Sequence, residues 1–326
     1  MNKFTRTVAT LPVGMIATTL GLCTLSNAYN FFELAAIRYL MMSFGCLVWI
    51  LAAIKILICR DVFLKEYKQV VPASLYATFA MLTAVLSSFI FPYSFYAGTF
   101  FWYLAVTMHI IHIGLFSYRN VVKHFDKASF LPTWFVTYVG LLVPVVVGGP
   151  IGHPLLQKII VGYGFIATLT LVPLMLVQKI PSKMNVTRMI FLAPLSLCIV
   201  GYLNVIEQPN LFVLLFLLSC LTVALIMLTS RIPSFLARPF DPTFASMTFP
   251  LGICTVALYR GAQFLSGNGF DFSASILYHI FSLVLFFATG VLLFVGYRFT
   301  AAFIKEALSN FTPVSIFDNQ RNEEAE

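Results

Sequence analysis

Apolar residues run along this chain in blocks of about twenty, separated by short segments that hold most of the charge. A helix of about 20 apolar residues spans the hydrocarbon core of a bilayer. Ten runs meet that requirement and are predicted as membrane spans: 8–28, 37–58, 70–90, 99–116, 130–147, 154–177, 188–205, 211–229, 242–263 and 273–296. They are of two kinds. The eighth is almost uniformly aliphatic and reads as lipid-facing. The odd-numbered runs each carry a proline among small or hydroxyl residues: Pro12 with Thr18, Pro72 with Thr78, Pro132 and Pro144 with Thr137, Pro194 with Ser196, and Pro250 with Thr248. The even-numbered runs are cleaner, although the sixth contains Pro173.

The prolines at 12, 72, 132, 194 and 250 recur about 60 residues apart, which reads as one helical hairpin repeated five times. Ordinary hairpin length in a proline-tolerant membrane protein is the plainer explanation of that spacing. The repeat predicts an all-α polytopic membrane protein of ten helices in a pseudo-five-fold arrangement. The odd helices would form an inner ring around a central pore, and the even helices an outer ring against lipid. A proline inside a membrane helix frees a carbonyl, which protein or water must satisfy. Pro12, Pro72, Pro144, Pro194 and Pro250 are therefore expected to kink pore helices, with Thr18, Thr78, Thr137, Ser196 and Thr248 lining the path. The run around Pro250 is uncharged from Pro242 to Tyr259 and places Phe249 beside the expected kink.

Composition agrees with a membrane protein and leaves no room for a soluble domain. Of 326 residues, 60% are hydrophobic and 10% charged, with a mean hydropathy of +0.92. Soluble domains carry about 25% charged residues. A net charge of +8 could point to nucleic acid, but the basic residues sort by side of the membrane instead. Arg38, Lys158 and Arg260 fall on one side in the ten-span parse, and the other 17 of the 20 fall on the side of the N-terminus. By the positive-inside rule both termini are expected in the cytoplasm. The first run could be a signal peptide, but Pro12 and Gly14 at its front, and the repeat, favour a retained span. Residues 1–312 then form a single transmembrane domain and 313–326 a short disordered cytoplasmic tail.

Few groups offer chemistry. The six cysteines form no CxxC pair and are expected to be reduced. His109 and His112 stand three apart in the fourth run, where a metal is conceivable, but no third ligand is evident and a satisfied polar pair is the simpler reading. No cofactor is expected. Arg260 and Lys158 could form an anion-attracting vestibule or snorkel to headgroups. The spans hold no catalytic motif, which leaves an enzyme as a remote alternative.

Residues 241–252 (DPTFASMTFPLG) resemble the ninth helix of the tellurite-resistance/dicarboxylate transporter family, and 190–202 (IFLAPLSLCIVGY) its seventh. Residues 11–16 (LPVGMI) are similar to its first helix, and Pro72 to Phe79 to its third. That family includes the plant guard-cell slow anion channel and its bacterial homologues. The resemblance implies a homotrimer in the bacterial inner membrane, with a pore in each protomer. It further implies that Phe249 plugs the pore, with Phe79 a weaker second aromatic. Membrane lipid and small anions would then be the partners, with no nucleic acid. A passive channel for chloride or nitrate is the expected activity. A proton-coupled carrier for dicarboxylates, sulfite or tellurite is the alternative. The odd runs lack the intramembrane Asp, Glu or His that proton coupling usually needs, and no fixed cation is evident along the path for a dicarboxylate.

Overall fold

The computed structural model describes residues 2–311, which form helices and their connections with no strand. The expected tail at 313–326 lies outside the described residues. In chain order the α-helices are α1 (Lys3–Ala9), α2 (Val13–Tyr29), α3 (Ala35–Leu57), α4 (Arg60–Tyr67), α5 (Val70–Ile90), α6 (Phe95–Ser117), α7 (Trp134–Tyr138), α8 (Val143–Gly148), α9 (Pro154–Leu176), α10 (Leu192–Val205), α11 (Leu211–Thr229), α12 (Ile232–Leu236), α13 (Thr248–Gly267) and α14 (Asp271–Phe311). Tight 3-10 segments lead into α10 (Ser182–Phe191) and α13 (Pro242–Met247), and another joins α7 to α8 (Val139–Leu142).

Eight of the ten expected runs are helices long and apolar enough to cross a membrane. The other two differ in form. The first is a pair, α1 and α2, bent by 72° where Pro12 caps α2. The fifth is a shorter apolar stretch, Trp134–Gly148, divided between α7, the 3-10 segment and α8. The tenth is longer than expected: α14 has 41 residues. At 1.5 Å per residue that is about 60 Å, twice the hydrocarbon core. A hydropathy pattern ends at the charges Arg298 and Lys305, but the backbone has no reason to stop there, because both are good helix formers.

The prolines fall at two kinds of place. Pro12 is the N-cap of α2 and Pro72 lies in the first turn of α5, where the N–H groups have no partner within the helix and a proline forfeits no bond. Pro144, Pro194 and Pro250 stand inside longer helical stretches, two or three residues past the point where a 3-10 segment gives way to α8, α10 and α13. Pro173, in the interior of α9, is the contrasting case.

The two kinds of run differ in burial as expected. In α5, Ser182–Val205 and Pro242–Gly267, 72–83% of the most apolar window is buried, against 28–44% in α3, α6, α9, α11 and α14. Small and hydroxyl side chains in the first group let backbones approach closely. The second group turns residues such as Phe212, Phe216 and Ile226 outward. Neighbour relations are ordered too. α2 packs on α5, α5 on α7 and α8, α8 on α10, α10 on α13, and α13 back on α2. The more exposed helices flank these: α3 on α2 and α5, α6 on α5, α9 and α11 on α10, and α14 on α13 and α2.

One buried charge fixes the bend between α1 and α2. Lys55 of α3 is 1% exposed. Its Nζ donates to the carbonyl of Leu11 at 2.7 Å and to Glu66 Oε1 of α4 at 2.8 Å. The Tyr76 hydroxyl of α5 donates to Glu66 Oε2 at 2.6 Å. Lys55 thus satisfies a carbonyl stranded just before Pro12 and ties α1, α3, α4 and α5 together. Removing one partner of a buried pair leaves the other charge uncompensated, at about 3–5 kcal/mol. Because Glu66 is 30% exposed, Lys55→Met is expected near the low end, about 3 kcal/mol. Thermal unfolding in detergent should show a clear fall in midpoint, and an unchanged midpoint would remove the pair from any role in the bend.

Candidate functional site

The close contact between α2 and α13 sets the centre of the site. A Cβ on Gly21 would lie 2.7 Å from the Phe249 backbone nitrogen, and one on Gly252 would lie 3.0 Å from the Gly21 carbonyl oxygen. Each glycine therefore leaves the space that the other helix occupies. The contact holds the first turn of α13 rigidly, with the Phe249 ring directed inward and 7% exposed.

Two cavities meet at that ring. The larger, about 280 Å³, is bordered by Asn27 of α2, Val85 and Ser88 of α5, Val146 of α8, Val200 of α10 and Val256 of α13, among others. The smaller, about 30 Å³, is bordered by Ala17, Thr78, Gly140, Ala193 and Ser246. Residues of the same five odd-numbered runs contribute to both, and Phe249 is the one side chain common to the two linings. At about 30 Å³ per water, the first chamber has room for several waters and the second for about one.

The linings carry no Asp, Glu, Lys or His; their charged residues are Arg38 and Arg260, both at the larger chamber. Asn27 Oδ1 accepts from Arg38 Nε at 3.0 Å, and Asn204 Oδ1 accepts from Arg260 at 3.0 Å. The Asn204 amide donates in turn to the carbonyls of Val145 and Val146, so Arg260 is braced against α8 through α10. Lys55–Glu66 is the salt bridge among the described residues, so neither arginine has a carboxylate partner there.

Several side chains expected on the path lie elsewhere. Thr78 borders the smaller chamber. Thr18 is buried beside Gly296 of α14, its hydroxyl without a protein partner. Thr137 offers its carbonyl to His109 Nε2–H at 2.9 Å and its hydroxyl to His112 Nε2 at 3.4 Å. Ser196 donates to the Leu192 carbonyl at 2.7 Å, and Thr248 donates to the Ala245 carbonyl at 2.8 Å against α2. A hydroxyl in a helix readily bonds the carbonyl a turn earlier, so its presence does not mark which face meets water. Phe79 is likewise off both chambers: it stacks on Trp49 of α3 with centroids 5.5 Å apart. Lys158 is exposed and borders neither chamber, whereas Arg38 and Arg260 border the same one. Asn27 and Asn204, polar residues near the ends of odd runs, were the available signal for that pair.

His109 and His112 act as polar links between helices. His112 Nδ1 lies 2.9 Å from the Tyr67 hydroxyl, which joins α4 to α6, and both histidines reach Thr137. Among the described residues no group of three His, Cys, Asp or Glu could hold a metal ion.

The most buried helices of this multi-pass protein border two internal chambers, the build of a membrane transport protein. The family model of the voltage-dependent anion channels (SLAC1) matches residues 10–299, and the chain belongs to that family. The resemblance of residues 11–16 and 241–252 pointed to the same family. Anion transport is the family's activity, and it is not an enzyme family. No curated protein sequence matches the chain.

Gly21→Ala should force α2 and α13 apart at an expected cost of about 2 kcal/mol, the range for overpacking a close contact. Gly162 of α9 faces open space, and Gly162→Ala should be neutral or stabilising by about 0.5 kcal/mol. Fluorescence-detected size-exclusion chromatography across a temperature ramp compares the two. Equal midpoints would mean that the contact tolerates a methyl group and does not fix Phe249.

Proposed function

We propose that this protein is an anion channel that passes small monovalent anions, chloride and nitrate among them, passively through a pore within each protomer, with Phe249 as the gate. The observation that carries this reading is the position of the Phe249 ring, the one side chain bordering both chambers. The closed series of neighbours α2, α5, α7 with α8, α10 and α13 supports five inner helices around one path, with the bent first run and the broken fifth run counted among ten in pseudo-five-fold order. Phe249 stands where the 3-10 segment passes into α13, with its ring across the neck and Pro250 next to it. Both termini in the cytoplasm, a bacterial inner-membrane location and a homotrimer belong to the same reading.

The electrostatics favour anions. Two arginines and no carboxylate border the path, which attracts anions into the larger chamber and repels cations. Beyond the ring no fixed charge borders the smaller chamber. An ion there meets a mostly apolar wall whose hydroxyls are those of Thr78 and Ser246, a surrounding that holds it weakly enough for release. A proton relay usually uses Asp, Glu or His within the membrane, and neither lining has one. That favours passive conduction over proton coupling.

Phe249→Ala removes the ring. Losing a buried aromatic side chain costs about 3 kcal/mol of packing, and the chamber walls should then join. In planar bilayers with a chloride gradient, this variant is expected to carry a current well above that of the wild type, reversing near the chloride potential. A folded Phe249→Ala protein that carries no anion current would overturn the gate. Phe79→Ala supplies the contrast, because its ring stacks on Trp49: stability should fall while conductance stays at the wild-type level. An open Phe79→Ala channel would place a second gate on α5.

A further inference from the structure

We propose that the chamber between Arg38 and Arg260 is a binding site for a doubly charged oxyanion, and that an ion seated there blocks the channel. The inference rests on the conduction reading above for its second half only; binding stands on the chamber itself.

Two guanidinium groups from opposite ends of the chain, one on α3 and one on α13, border a single space of about 280 Å³. Each is fixed by an asparagine oxygen, and no carboxylate neutralises either. Each asparagine oxygen accepts from one nitrogen at the edge of its guanidinium, which leaves other N–H donors for a ligand. Planar guanidinium donors match oxyanion geometry better than a spherical halide does. Arg38 also lies over the Phe89 ring, 5.5 Å from its centroid, which further limits its motion.

Charge decides what happens to a bound ion. Attraction to the two fixed cations grows in proportion to the ion's charge. The cost of shedding water to pass a neck with room for about one water grows with the square of that charge, by the Born relation. Going from a monovalent to a divalent anion therefore strengthens entry into the chamber twofold and raises the barrier beyond Phe249 about fourfold. Conduction requires that an ion be held weakly enough to leave. A dianion meets the first condition and fails the second, so it occupies the chamber and excludes chloride.

Sulfate is the probe. In planar bilayers holding Phe249→Ala, sulfate added to one side only should reduce the chloride current at millimolar concentration. The same concentration on the other side should leave the current unchanged, because the smaller chamber has no cation. Adding Arg38→Gln and Arg260→Gln should raise the half-blocking concentration at least tenfold, and Arg38→Lys with Arg260→Lys should keep most of the block. Sulfate that carries current, blocks equally from both sides, or blocks the glutamine variant as well as the parent would overturn the proposal. Binding is read separately by isothermal titration of sulfate into detergent-solubilised wild type and into the Arg38→Gln, Arg260→Gln protein. Heat of binding in the wild type alone supports the site even if neither protein conducts, and no heat in a folded wild type rejects it.

Discussion

The rest of the structure depends on how closely two helix backbones approach between Gly21 and Gly252. In a bilayer the hydrophobic effect does not drive helices together, because lipid is as apolar as the side chains. Close packing and polar contacts must do that work. Where α2 meets α13, the absence of two Cβ atoms lets backbone touch backbone, and the Thr248 hydroxyl reaches toward the Ala17 carbonyl across the same contact. First and last members of the inner series thereby meet. The series of neighbours closes there, and the backbone of Phe249 lies directly against α2.

The large features of the fold were legible in the sequence because they follow from what lipid demands. Apolar length gave the spans, and the contrast between runs such as 211–229 and 242–263 gave the buried and exposed sets. The finer features were not legible, for identifiable reasons. Proline reads as a kink in mid-helix, yet Pro12 and Pro72 stand where a helix begins, and Pro194 and Pro250 mark the change from a 3-10 segment to an α-helix. Hydroxyls such as Thr137 and Ser196 read as pore-lining, yet a helix can satisfy them itself or lend them to a neighbour. Phe249 was legible through its motif, since its composition alone does not separate it from 33 other phenylalanines. Arg38 was missed because its place depends on the first turn of α3 and the second half of α13 lying beside the same chamber, a relation between residues 222 positions apart.

Charge is distributed so that each end of the molecule has its own task. On the side of the N-terminus a single lysine is sealed inside and neutralised by Glu66, where it holds the bend before α2. On the other side two arginines are left without acid partners and face open space. The same chemical type is thus enclosed with its counter-ion at one place and left beside a cavity without one at the other.

The length of α14 has a mechanical consequence. Its middle touches α2, where Thr289 meets the Tyr29 hydroxyl at 2.5 Å. Further on, Phe299 is buried against Gly14 and the Phe240 ring, at the foot of α2 and of the segment leading into α13. An uninterrupted rod about 60 Å long cannot tilt at one end without swinging the other: 5° about its middle moves each tip by about 2–3 Å. Helices tilt as bilayers thin or thicken. A tilt of this helix would therefore be felt at Phe299, which bears on the start of α2 and on the segment leading into α13.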